Sequence, residues 1–221
     1  MTGKVMVVCP LEYERKLLLK GMKRNSGVDV QSCGMGPERI TKWVKDVPAG
    51  TGMVVLAGLA ASLTDGCPVR MAYVIREVQG EKEDERWRCG VLREDESQLP
   101  IANVTSVQGI VGGRSERAKL HRERRVELAD MESVAFVNAA NARELRWVIV
   151  RGVSDSPSRP LPAGVADMAD SEGRPNVMRA MAGMVMKPGS IGAMMKLRGD
   201  SKEAMGKVAG LAERMISRKA H

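Results

Sequence analysis

Between Val126 and Asp155 the chain reads VELADMESVAFVNAANARELRWVIVRGVSD, and this stretch restricts the fold more than any other. Val126 to Ala129 has the character of a short strand. Small and apolar residues at helical spacing (Val134, Val137, Ala140) follow, with no proline before Arg143-Glu144-Leu145, so a helix opens near Asp130-Met131-Glu132. Trp147 to Val153 then has the length and β-branched content of a buried strand, stopping at Ser154-Asp155. Two carboxylates therefore stand at element ends, Glu132 entering a helix and Asp155 leaving a strand. Clefts in open α/β sheets form at the carboxyl ends of strands, which makes such acids candidates for chemistry. The alternative is that Asp130 and Glu132 only favour the helix N-terminus and that Asp155 caps the next element. This stretch alone leaves both open.

The remaining composition fits a single α/β domain over residues 1–221, long enough for a sheet covered by helices. Aromatics make up only 3% of the chain against 16 methionines, which predicts a core of Met, Val, Leu and Ala rather than a Met-lined pocket. The net charge is +8, but the cations are mixed with acids, as in KEDER and HRERR. No nucleic-acid-binding signature accompanies them, so nucleic acid is not an expected partner. Cys9, Cys33, Cys67 and Cys89 form no CxxC pair, and His121 and His221 are the only histidines. No metal site is expected, and the cysteines read as reduced and buried. No leader peptide and no long apolar run is visible, so the expected location is cytoplasmic.

In chain order, Lys4 to Cys9 is an almost wholly apolar first strand, followed by Leu11-Glu12-Tyr13-Glu14 and a helix-like run from Arg15 to Lys23. Glu12 and Glu14 are two apart, so at most one faces a cleft. Val28 to Cys33 alternates as a second strand and runs into Gly34-Met35-Gly36-Pro37-Glu38, then a helix from about Ile40 to Lys45. A G-x-G turn ending at Gly36 lets backbone N–H groups approach an anion or a sugar. Thr51 to Ala57 is a third buried strand, expected to end in Gly58-Leu59-Ala60-Ala61-Ser62, where small residues allow a ligand to come close at Gly58. Further strands are expected over Val69–Val78 and Ala102–Val111, a surface hairpin or loop over 79–99, and a charged helix over Ser115–Arg124. Ser156 to Arg174 reads as a Pro-containing loop that could serve as a lid. From about residue 176 the chain is helical, Met-rich and basic, and residues 187–221 carry eight Lys/Arg against three Asp/Glu. Such a segment either packs its apolar face on its own domain or rests on an anionic membrane as a peripheral contact.

These motifs resemble the nucleoside phosphorylase and nucleosidase superfamily, of the purine nucleoside phosphorylase and methylthioadenosine/S-adenosylhomocysteine nucleosidase type. The resemblance spans about residues 4–156. It rests on Asp130-Met131-Glu132-Ser133, on Arg151-Gly152-Val153-Ser154-Asp155, and on Leu11-Glu12-Tyr13-Glu14 with the Gly34-Met35-Gly36 turn. It implies a three-layer α/β/α fold with a central twisted mixed sheet, and cleavage of the N-glycosidic bond of a purine nucleoside. By residue, it implies that Asp155 hydrogen-bonds or protonates the purine at N7 and that Glu132 accepts the two ribose hydroxyls. It further implies that Met131 packs on the sugar and that Glu14 orients and activates an attacking water. Ser154 would support Asp155, and Arg151 would fix the strand end or bind an anion. No cofactor is implied beyond phosphate as co-substrate if the reaction is phosphorolysis, and the superfamily's habit implies a homo-oligomer.

Within the superfamily the chain is most similar to the hopanoid-associated phosphorylase group, which acts on adenosylhopane. That likeness rests on DMES, Gly36-Pro37-Glu38 and the tail from Gly173 through Lys187-Pro188-Gly189 to Leu197-Arg198. A nucleosidase acting on methylthioadenosine, S-adenosylhomocysteine or futalosine is the alternative, as is a non-catalytic nucleoside-binding protein. One departure stands out. The family's G-x-A-G-G turn here reads Gly58-Leu59-Ala60-Ala61-Ser62, whose extra side chains restrict backbone approach by phosphate.

Overall fold

The computed structural model describes residues 3–23, 28–92, 98–161 and 191–217. Its centre is an eight-stranded mixed sheet. Strand β1 (Lys4–Cys9) lies parallel to both β2 (Asp29–Ser32) and β3 (Thr51–Ser62). Strand β3 pairs in parallel with β8 (Arg146–Asp155), which runs antiparallel to β4 (Ala72–Gln79). Beyond β4, one edge carries the short hairpin partner β5 (Arg86–Arg88). On its other side β4 pairs with β6 (Ile101–Ser106), β6 pairs with β7 (Leu128–Asp130), and β7 returns antiparallel to the end of β3. Five strands thus close into a ring, β3-β8-β4-β6-β7, with β1 and β2 extending from β3.

The helices pack in two pairs. Helix α1 (Glu12–Gly21) lies with α5 (Ile191–Ser217), and α2 (Pro37–Lys45) with α4 (Ser133–Ala142), while α3 (Arg114–Arg124) leads into β7. The core holds the expected Val, Leu and Ala with Met6, Met53, Met205 and Met215, and the single phenylalanine, Phe136, is buried among them. Helix α5 buries Ala204, Met205, Val208, Ala209, Ala212 and Met215 against β8 and α1. Contact is close because glycines face it: a Cβ on Gly152 would lie 3.0 Å from Ala204 Cβ and 3.1 Å from Val208 Cγ2. From Asp200 to Met215, then, the apolar face of this basic helix is used inside its own domain.

Several boundaries differ from expectation. The third strand does not end at Ala57. It continues through Gly58 to Ser62, because its second half has partners on both sides: Gly58 to Ala61 pair with β8, and Ala61 and Ser62 pair with Ala129 and Leu128 of β7. A register shift between Ala60 and Ala61 lets the strand bend toward β7. Helix α1 begins at Glu12 rather than Arg15, because Glu14 reaches back to accept the Leu11 backbone N–H at 2.9 Å and so starts the first turn. The strand expected over Ala102–Val111 stops at Ser106, whose hydroxyl turns to Asp130. The loop expected over 156–174 lies largely outside the described residues, as do residues 176–190 and 218–221 of the basic segment, whereas its middle forms α5. Among the described residues, no helix is long and apolar enough to cross a membrane.

Candidate active site

The paired strands β3 and β8 carry two buried groups of charges. The first surrounds Arg151, in the middle of β8 and fully shielded from solvent. Asp130, at the end of β7, accepts from Arg151 Nε at 2.8 Å and also lies 2.6 Å from its Nη2. Asp130 is otherwise filled by Ser106 Oγ, by the backbone N–H groups of Glu132 and Ser133, and by the Ser133 hydroxyl. It therefore positions the turn into α4, as suited its reading as a structural residue. Glu132, at the N-terminus of α4, is the second acid. Its Oε2 faces Arg151 Nη2 at 3.4 Å, and its Oε1 accepts the Gly36 N–H at 3.0 Å. The Gly34-Met35-Gly36 turn is thereby tied to the DMES motif across ninety-odd residues of sequence, and Gly36 serves it with φ of +95°, a conformation suited to glycine.

Glu14 is the third acid of this group. Of the two acids in the first turn of α1, Glu12 is spent on the exposed side with Arg15 and Ser32. Glu14 turns inward and is 3% exposed. Its Oε2 takes Leu11 N and its Oε1 takes Leu59 N at 2.8 Å, joining α1 to the extended half of β3. Between these groups lies Gly58. A Cβ there would stand 2.6 Å from Arg151 Nη1 and 3.1 Å from Glu14 Oε1. Gly58 is thus a mid-strand residue that leaves room for a cation and an acid, rather than the start of an anion-binding turn. Among the described residues, Arg151 Nη1 itself is buried without a hydrogen-bond partner.

The electrostatics follow from this burial. Loss of solvent raises Glu14 above the ordinary carboxylate range, with Arg151 and the two backbone N–H groups only partly opposing it. Burial also pushes Glu132 up to about 7, against the pull of Arg151 and with Asp130 adding to the rise. For Arg151, burial disfavours the charge, but the surrounding acids, Asp130 first, more than restore it. Glu132 thus titrates near neutrality. An ionised carboxylate accepts two hydroxyls, so affinity for the ribose that the resemblance implies at Glu132 is expected to fall as pH drops through about 7. Calorimetric titration across that range tests this, and an unchanged affinity, or the same profile in Glu132→Gln, would contradict it. The stability contribution has the opposite sense. A folded-state value raised above the unfolded one stabilises the fold below the unfolded value and is lost as pH rises through about 7.

The second group lies at the ends of the two strands. Asp155 is buried, with Oδ1 accepting the Ser154 hydroxyl at 2.6 Å and Oδ2 facing Arg117 Nη2 at 2.5 Å. Arg117 was not singled out in the sequence, because α3 is so rich in charge that no one cation stands apart. Its only signal is a helical face shared with Leu120 and His121. Met131 is half-buried in the turn between β7 and α4, next to Glu132. Burial raises the Cys9 thiol and pushes Cys33 up to about 12, so neither acts as a thiolate nucleophile.

A family model of the phosphorylase superfamily matches residues 54–187. The chain belongs to the phosphorylase superfamily. No curated protein matches it. Among solved structures it is similar to the futalosine hydrolase of Helicobacter pylori strain 26695, at 12% identity over 98% of each chain with a TM-score of 0.68. It is also similar to the 5′-methylthioadenosine/S-adenosylhomocysteine nucleosidase of Colwellia psychrerythraea in complex with adenine, at 14% identity over 99% of this chain and 96% of that one, with a TM-score of 0.68. A third likeness is to the adenine-bound nucleosidase of Chlamydia trachomatis, at 16% identity over 98% of each chain with a TM-score of 0.63. At these identities the likeness is one of fold.

Proposed function

We propose that this phosphorylase-superfamily protein hydrolyses the N-glycosidic bond of a 5′-substituted adenosine and releases adenine. One observation carries the choice of water: Arg151 Nη1 is buried without a hydrogen-bond partner among the described residues, and it packs around Gly58 together with the Oε1 of Glu14. A buried N–H is ordinarily satisfied by protein or by ordered water, and a water bonded to Nη1 would have the Glu14 carboxylate as a neighbour. Glu14, raised by burial above the ordinary carboxylate range, is suited to take its proton. Phosphate is less well served. The Leu59 N–H is already given to Glu14, β3 runs on without a glycine turn, and a buried acid would oppose a second anion.

In this reading Glu132 takes the ribose hydroxyls, which offer two donors to one carboxylate, and Met131 lies against the sugar. Asp155, steadied by Ser154, takes the leaving base. The adenine base is supported by the fold shared with adenine-bound nucleosidases. For the 5′ substituent we propose the hopane of adenosylhopane, on the likeness of DMES, of Gly36-Pro37-Glu38 and of the tail.

Incubating the protein with methylthioadenosine, S-adenosylhomocysteine, futalosine and adenosylhopane, with and without phosphate, and measuring free base by chromatography tests the reading. Base released equally without phosphate is the expected result. Base released only with phosphate would show phosphorolysis, and none under any condition would indicate a binding protein. Asp155→Asn is expected to lower base release by about 10²-fold or more, whereas Glu132→Gln acts mainly on KM. Turnover of Asp155→Asn at the wild-type rate would refute the assignment of Asp155.

A further inference from the structure

We propose that Arg117 is a specificity-determining positioning residue, which holds Asp155 as a hydrogen-bond acceptor and so selects a 6-aminopurine over a 6-oxopurine. The inference rests on the reading of Asp155 as the residue facing the base. Arg117 is 1% exposed, although it lies on a helix that is otherwise almost entirely charged and solvated. Its guanidinium is fixed by backbone carbonyls: Nε donates to Gly112 at 2.9 Å, Nη1 to Ser62 at 2.8 Å and Nη2 to Val111 at 3.3 Å. Those contacts anchor it both to the end of β3 and to the segment before α3. The remaining contact is Nη2 to Asp155 Oδ2.

Two donors thus meet Asp155, one on each oxygen, Arg117 on Oδ2 and the Ser154 hydroxyl on Oδ1. Each carboxylate oxygen has two lone-pair sites, so each keeps one for a ligand: one can carry the proton that N7 takes, and the other accepts. A 6-aminopurine presents an exocyclic N–H donor beside N7. A 6-oxopurine presents a carbonyl oxygen at the same place, which would face an acceptor and leave it unpaired. A buried charged acceptor without its donor is costly, which makes the discrimination large. Arg117 fixes the sign of this preference without touching the base.

Calorimetric titration of adenine and hypoxanthine into wild type, Arg117→Met and Arg117→Lys tests the assignment, with circular dichroism confirming the fold. Wild type is expected to prefer adenine by about 10- to 100-fold, the value of a hydrogen bond to a charged group. Arg117→Met is expected to bring the two bases within about threefold by removing that fixed acceptor. Arg117→Lys, which keeps the charge, is expected to recover most of the preference. If Arg117→Met does not fold, Arg117→Gln carries the same comparison with one donor and no charge. An undiminished preference in the neutral variant would overturn the proposal, as would a lysine variant no better than the neutral one, since that pattern marks a structural brace. Turnover of nucleosides without base preference in wild type would overturn this inference alone. Preference that depends on Arg117 without turnover of any nucleoside would overturn hydrolysis and leave the inference standing.

Discussion

Arg151→Met is expected to cost about 3–5 kcal/mol in urea unfolding, the range for removing one partner of a buried ion pair. Methionine is apolar and of broadly similar bulk, so the loss reflects mainly the missing charge and hydrogen bonds. Arg151 is the cation shared by Asp130 and Glu132, and its field also reaches Glu14. Without it, three buried carboxylates face one another. They can avoid that repulsion only by taking up protons, so the deficit should grow as pH rises and shrink as pH falls. Arg151→Lys should recover part of the loss, because one ammonium cannot reproduce the Nε and Nη2 pair on Asp130. A methionine variant unfolding at the wild-type urea concentration at neutral pH would show that the acids are not held by this residue.

Glu14→Gln is expected to lower base release by about 10²- to 10⁴-fold, the usual contribution of a positioned general base. A structural cost accompanies it. Glu14 accepts Leu11 N on one oxygen and Leu59 N on the other, whereas glutamine has a single acceptor. One of those N–H groups would face an amide NH₂, a loss of about 1–3 kcal/mol. The two effects separate experimentally. Adenine binding and the folded fraction should survive in Glu14→Gln while turnover does not, and turnover within about tenfold of wild type would remove Glu14 from the general-base role.

Much of this was readable in the residues because it depended on local pattern. Lys4 to Cys9 formed the strand its apolar run required, and DMES and RGVSD marked a helix entry and a strand exit at a separation the fold brings together. Other features depended on partners far away in the chain. The strand expected to stop at Ala57 ran to Ser62 because β7 and β8 supply edges that no window around Gly58 reveals. The same holds for Arg117, whose value comes from three carbonyls and an acid brought to it by the ring, not from the helix it sits on. Asp130 shows the converse. In sequence it read as an acid that favours the helix N-terminus, and the number of donors around it shows how fully its lone pairs are taken.

The closed ring also sets an order of assembly during synthesis. Strand β8 is the last strand made, yet it belongs between β3 and β4, both of which leave the ribosome much earlier. Until Arg146–Asp155 emerges, those two strands each lack a neighbour, and Glu14, Asp130 and Glu132 have been made without their shared cation. Closing such non-local pairings is slow compared with forming local ones. The same ten residues close the ring and neutralise the acids, so among the described residues the closed sheet and the shared cation arrive in one late step.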